Sequence, residues 1–300
     1  MLDGFISSLE NLSVILNTSP WLFYSSILFL GLCVGSFLNV VAYRLPLMLE
    51  RDWKLECHEF LELDPPQIEK SVLAINLSTP ASACPNCGHK LHVWENIPVL
   101  SYIFLKAKCS SCANSISAQY PLVELVTGIA SLAVAHQFGV TLQTLAALFF
   151  TWILIALTLI DLKKQLLPDN ITLPLLWFGL FLSFFDIFTD LKSSVIGAMA
   201  GYLILWSVYQ LFKLITKKEG MGYGDFKLLA ALGAWAGIAY LPQIIFISSI
   251  IGSIAGISML IIGRTKQQQP IPFGPYLAIA GWTALLWGEN INSTYLSFLT

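Results

Sequence analysis

The sequence predicts an all-α polytopic membrane protein, with about eight transmembrane helices and one large polar insertion between the first and second. Three observations carry this reading. Charged residues make up 11% of the chain and hydrophobic residues 56%, whereas a soluble globular domain carries about 25% charged residues. The apolar residues fall into long runs, and a span needs roughly 20 of them. The acidic residues are unevenly spread: eight of the eighteen lie between Glu50 and Glu95, in a single polar stretch. The net charge of −2 says little about partners, because the charges are unevenly placed; the composition sets the chain in the lipid bilayer, and no nucleic-acid partner is expected.

Taken in order, Met1 to Pro20 lacks a basic segment and holds Asp3 and Glu10, so a cleaved signal peptide is not expected. The run Trp21 to Val41 is long enough to span, and Arg44 follows at once, which sets the N-terminus outside. Spans are read near residues 21–42, 121–138, 142–160, 171–188, 194–215, 226–240, 242–262 and 274–290. The sixth is short, and its boundary with the seventh falls around Tyr240-Leu241-Pro242. Gln267, Gln268 and Gln269 read as a short loop. Gly197/Gly201, Gly233/Gly237 and Gly252/Gly256 are small-xxx-small pairs that let helix backbones approach closely. Cytoplasmic loops carry a lysine and arginine excess, and of the sixteen cations only Lys192 falls on the outer side of this topology. The expected domains are therefore an outside segment with the first helix (1–43), a cytoplasmic domain (44–120) and a seven-helix membrane domain (121–300).

An ionisable side chain at membrane depth costs several kcal/mol and marks a functional site by default. Asp161 follows Leu157-Thr158-Leu159-Ile160 without a polar break and precedes Lys163-Lys164. Asp225 closes the tetrad Gly222-Tyr223-Gly224-Asp225. The topology puts both at cytoplasmic helix ends, and the hairpin of spans four and five returns them to the same depth. Two close carboxylates share a proton rather than both ionising, so they can divide base and acid roles over one water. That is aspartic-protease chemistry. Gly222 and Gly224 remove side chains beside the carboxylate and leave room for an extended substrate backbone. Plainer readings exist: Asp161 as a helix-end charge near a lysine, Asp225 as a helix N-cap. Asp169, after Pro168, reads as a cap, while Glu124 is a buried-looking acid with no assigned role.

Cys84-Pro85-Asn86-Cys87 and Cys109-Ser110-Ser111-Cys112 are two CxxC knuckles separated by 21 residues. Four thiolates at that spacing suit a tetrahedral structural Zn²⁺ site, and a reducing cytosol disfavours the disulfide alternative. The fold class is thus completed by a zinc-binding cytoplasmic insertion between helices one and two. His89 and His92 lie close by but read as surface residues, since four cysteines complete the shell. Cys33 reads as an apolar filler of the first span, and Cys57 has no partner at ligand spacing.

The tetrad ending in Asp225, with Phe226-Lys227-Leu228-Leu229 after it, is joined by Asp161 with Leu166-Leu167-Pro168-Asp169. The run from Gly31 through Ser36-Phe37-Leu38-Asn39 to Arg44-Leu45-Pro46, both knuckles, Trp94-Glu95-Asn96-Ile97-Pro98, Tyr120-Pro121-Leu122-Val123-Glu124 and Pro272-Phe273-Gly274-Pro275-Tyr276 complete the set. In this ordered set the chain resembles the type IV prepilin peptidase family, over nearly its whole length. The resemblance implies a bifunctional enzyme of the bacterial inner membrane. Such an enzyme cleaves the leader of type IV prepilins and secretion pseudopilins at the cytoplasmic face. It then N-methylates the new terminus with S-adenosylmethionine. It implies Asp161 and Asp225 as the catalytic pair and Cys84, Cys87, Cys109 and Cys112 as the metal ligands. One departure is visible: Ala107 stands in Leu105-Lys106-Ala107-Lys108, where many relatives carry a glycine shortly before the third cysteine. Two other readings are a general GxGD intramembrane aspartyl protease, which would not need the zinc insertion, and a proton-coupled transporter relaying through Asp161, Asp225 and Glu124. The transporter reading predicts broken central helices with carboxylates near the midplane.

Overall fold

The computed structural model describes residues 13–64, 66–261 and 272–299. The expected glutamine loop, Asp3, Glu10, Arg264 and Lys266 lie outside the described residues. Among those residues the fold is helical, with α1 (Pro20–Phe60), α2 (Gln119–Phe138), α3 (Leu142–Lys164), α4 (Asp169–Ser183), α5 (Leu191–Thr216), α6 (Tyr223–Ala236), α7 (Leu241–Ile261) and α8 (Gly274–Leu299). Each falls where an apolar run predicts one. Among the described residues, five segments are long and apolar enough to cross a membrane: α1, α2, α3, α5 and the stretch Ile238–Met259 that includes most of α7. That is fewer than the eight spans expected. α6, at 14 residues, is only about 21 Å long, against a hydrocarbon core of roughly 30 Å.

α1 departs most from the sequence reading. Its apolar part ends near residue 42, yet the helix continues through Pro46 to Phe60, 41 residues in all. Hydropathy sets where a helix leaves the membrane, not where it stops. Residues 47–60 are rich in Leu, Met, Glu, Arg and Lys, which are strong helix formers.

The chain divides into two compact units, Met1–Trp152 and Ile153–Thr300. In the first, α1 packs on α2 through small residues. A Cβ at Gly35 would lie 2.7 Å from the Glu124 Cα, and one at Gly31 would lie 2.7 Å from the Ser131 Oγ. This Gly31/Gly35 pair has the same small-xxx-small spacing as the three pairs read from the sequence, but it was not among them. Beyond the apolar part of α1, the Arg44 Nη2 donates to the Pro80 carbonyl at 2.7 Å and the Arg51 Nη1 to the Ile75 carbonyl at 3.0 Å. Two arginines thus pin the segment that leads to Cys84.

In the second unit α6 is buried along its length, Phe226 and Leu228 to Ala236 included. A helix that is apolar on all sides belongs in a core, and α4, α5 and α8 surround it. Gly197 and Gly201 of α5 lie against the carbonyls of Gly233 and Leu229. The expected close approach is realised there. Trp235 anchors the other side, its Nε1 donating to the Leu175 carbonyl of α4 at 2.9 Å.

Candidate active site and metal centre

Asp161 lies on the last turn of α3 and is 4% exposed, and Asp225 lies on the first turn of α6 and is 8% exposed. Both line one cavity of about 360 Å³ in the second unit, together with Gln165, Leu167, Glu219, Met221, Pro272 and Phe273. The two carboxylates are close enough for their charges to act on each other. The Asp161 Oδ2 accepts the Gly274 N–H at 3.0 Å. Gly274 opens α8, so the carboxylate sits at a helix N-terminus, where free N–H groups and the helix dipole favour an anion.

The two capping readings do not hold in this geometry. Asp225 does not cap α6: the N-cap is Gly222, with no side-chain cap hydrogen bond. Asp169 caps nothing either. Its carboxylate pairs with the Lys227 Nζ at 2.6 Å, tying the start of α4 to α6 beside Asp225. The two tetrad glycines serve different ends. A Cβ at Gly224 would lie 2.7 Å from the Leu167 Cβ, so its bareness admits the cavity wall. A Cβ at Gly222 would meet only the Asp225 Oδ2, at 3.8 Å, so that side of the carboxylate is open. Sequence reasoning missed Gly274 as a site residue. Its contribution is a backbone N–H, which no residue type signals, although a Cβ there would strike the Asp161 Oδ2 at 2.6 Å.

In the first unit the four knuckle cysteines come together as the spacing predicts. Their Sγ atoms lie within 4.8 Å of one another, with Cys84 to Cys112 at 3.9 Å and Cys87 to Cys109 at 4.0 Å. A tetrahedron with Zn–S bonds of about 2.3 Å has edges of about 3.8 Å. The donor set fits the ion. The knuckles match position for position: Cys84 N donates to His89 O at 2.8 Å and Gly88 N to Cys84 O at 2.9 Å, while Cys109 N donates to Asn114 O at 2.8 Å and Ala113 N to Cys109 O at 3.0 Å. Gly88 (φ 71) and Ala113 (φ 55) take the same left-handed conformation, which an alanine adopts at a cost of roughly 1–2 kcal/mol. Backbone N–H groups of Cys87 and Asn86 hold the Cys84 thiol below its ordinary pKa, and that of Asn114 does the same for Cys112. Both effects favour the thiolates a metal needs, whereas desolvation and the neighbouring sulfurs push the Cys87 thiol up to about 11.

His89 is not the uninvolved surface residue the sequence suggested. Its Nε2 lies 3.3 Å from the Glu95 Oε2, which also accepts the His92 N–H at 2.7 Å. The Ser110 hydroxyl and the His92 N–H hold the Glu95 carboxyl below the usual carboxylate range. Glu124, left without a role by the sequence, accepts the Val99 N–H at 2.7 Å. Val99 is held at φ 61, a real outlier for a β-branched residue. Ala107, where many relatives carry a glycine, is likewise left-handed, at φ 59.

Fold and site define a class: helical membrane proteins with a pair of buried aspartates lining one cavity, the arrangement of membrane aspartic peptidases. Residues 29–138 match the bacterial peptidase A24 N-terminal domain, and residues 148–257 match the type IV leader peptidase family. The chain belongs to that family. It is 54% identical over 278 residues to a prepilin leader peptidase/N-methyltransferase of Aeromonas salmonicida (strain A449), covering 93% of this chain and 95% of the relative. It is 55% identical over 283 residues to the protein of that name from Pseudomonas aeruginosa, covering 94% and 97%, and 53% identical over 283 residues to that of Stutzerimonas stutzeri, with the same coverage. No solved structure matches the chain.

Proposed function

We propose that this chain removes the leader peptide of type IV prepilins and pilin-like secretion proteins and then N-methylates the new terminus. The observation that carries the reading is the joint burial of Asp161 and Asp225 on one cavity wall that is open on the Gly222 side. In hydrolysis one carboxylate of the pair takes a proton from water as its oxygen attacks the scissile carbonyl. The other, protonated, donates to the carbonyl oxygen, and the amine leaves with a proton returned by the pair. The pair titrates as a unit, so the two roles belong to the dyad rather than to fixed residues. The Gly274 N–H fixes the Asp161 oxygen and thereby the position of the pair.

The wider assignment follows the same reading. The chain is a multi-pass protein of the bacterial inner membrane with eight spans, counting α8 and the shorter α4 and α6. The cysteine domain, residues 44–120, and the dyad both face the cytoplasm, while residues 1–43 carry the outside segment and first span and residues 121–300 the peptidase domain. Cys84, Cys87, Cys109 and Cys112 hold a structural Zn²⁺ that fixes the cysteine domain. S-adenosylmethionine, when bound, supplies an electrophilic methyl group. The water-exposed cysteine domain is the region polar enough to receive so charged a molecule, and the acceptor amine must reach it unprotonated.

The test is incubation of the purified protein with a prepilin, with and without S-adenosylmethionine, read by intact mass. Loss of the leader in both reactions, and a further methyl increment only with the donor, is the expected result. An unchanged prepilin mass with folded, zinc-loaded protein would overturn it.

A further inference from the structure

We propose that His89, His92 and Glu95 form a second site for a divalent transition-metal ion, distinct from the four-cysteine site. The three residues recur at every third position: Glu95 lies in the 3₁₀ turn Val93–Asn96, His92 is the extended N-cap of that turn, and His89 stands three residues before it. One ligand atom from each lies within 4.8 Å of the other two. Two imidazoles and a carboxylate are a zinc-type donor set that leaves a fourth position open.

The independent sign is an unused oxygen. Capping of the turn accounts for the Glu95 Oε2, which accepts the His92 N–H at 2.7 Å. The Glu95 Oε1 makes no hydrogen bond, although the side chain is only 1% exposed. The Ser110 hydroxyl acts on the carboxylate as a hydrogen-bond donor, yet no donor reaches Oε1 with good geometry. A sealed anionic oxygen without a partner is costly, and buried charges are ordinarily paired or bound to metal. His89 stands against the same carboxylate at 3.3 Å, and the rings of His89 and His92 are 5.5 Å apart, edge to face. His92 is exposed, so the open side of the ligand set faces solvent. The Glu95 Oε2 hydrogen bond can persist while Oε1 binds, and outer hydrogen bonds of that kind orient a ligating carboxylate.

The experiment is metal stoichiometry of the full-length protein in detergent, followed by cobalt substitution. Wild-type protein should hold two zinc ions per chain, and His92→Ala and Glu95→Gln should each hold one. The amide oxygen introduced by Glu95→Gln would still accept the His92 N–H, so the turn survives, and the ion in the cysteine site reports that the fold is intact. With cobalt, the first equivalent should give intense near-ultraviolet thiolate charge transfer. The second should add visible absorption without adding to that band, and His92→Ala should weaken its binding by more than about tenfold. A single ion in wild-type protein at zinc excess, or a second ion indifferent to His92→Ala, overturns the proposal. If Glu95→Gln also releases the first ion, the exposed His92→Ala variant decides alone.

Discussion

Two regions of this chain reach a defined structure by opposite means. Between residues 81 and 117 only Glu95 and Cys109 are buried, whereas eleven of the fourteen residues of α6 are. The cysteine region has almost no core. Its shape comes from two matching turns, the pair of residues at positive φ within them, and the four sulfurs they converge. The α6 region has no such devices and is held by side chains and by glycines that admit neighbouring backbones. A region without a core depends on its ligand for folding energy, while a packed one depends on volume. The two should therefore fail under different insults.

The largest separation should come from chemistry rather than folding. Asp161→Asn and Asp225→Asn are each expected to lower leader cleavage roughly a thousandfold or more, within the range acid–base catalysis supplies. Zinc content should not change, as elemental analysis of the same preparation will show. Cleavage near the wild-type rate in either variant would remove the dyad from the mechanism. Next in size, Cys84→Ser with Cys87→Ser should release the zinc and open the cysteine region to limited proteolysis. A structural zinc site is worth about 10–16 kcal/mol of apparent binding energy in small modules. Proteolytic fragments ending within the α6 region instead would blur the contrast drawn here.

Smaller effects probe packing. Gly201→Leu places a side chain where even a Cβ would lie 2.6 Å from the Leu229 carbonyl oxygen, and should cost about 3 kcal/mol, the upper end for overpacking. Gly222→Ala, with only the Asp225 Oδ2 in range at 3.8 Å, should leave unfolding in detergent almost unmoved while slowing cleavage. Equal destabilisation by both would show that the distinction between wall and opening is wrong. The smallest expected change is a gain. Ala113→Gly relieves a left-handed alanine and should strengthen the cysteine region by about 1 kcal/mol, read as a higher chelator concentration at half release of zinc. Ala107→Gly should act in the same direction.

Long apolar runs made the helices α1 to α8 legible, though not the short turns at Lys70–Leu73 and Leu100–Phe104, and the CxxC spacing made the sulfur cluster legible, because both signals lie in residue type. The aspartates were legible for the same reason: a carboxylate after Ile160, or after Gly224, interrupts a pattern. What escaped was structure carried by backbone atoms or by continuity. The Gly274 N–H that holds Asp161 has no compositional mark. The length of α1 was hidden because its sequence turns polar while its helix does not stop. Glu95 was passed over because a carboxylate in a polar stretch is ordinary until its burial is known. The boundary expected near Tyr240-Leu241-Pro242 is real: a 3₁₀ turn over Ile238–Tyr240 precedes α7 at Leu241.

The continuity of α1 has a mechanical consequence. On an unbroken helix each residue adds about 100° of rotation and 1.5 Å of rise, so angle and height along the rod are counted in residues. The face bearing Gly31, Gly35 and Asn39 is clocked by α2, and the arginines that hold residues 73–80 lie further along the same shaft. One residue inserted after Tyr43 would swing Arg44 and Arg51 a quarter-turn away from their carbonyls while leaving every contact below untouched. Four inserted residues would bring them back to within roughly 40° but about 6 Å too high. The join between lipid-side and water-side chemistry is thus set by gearing, and the number of residues between Asn39 and Arg44 is its tooth count.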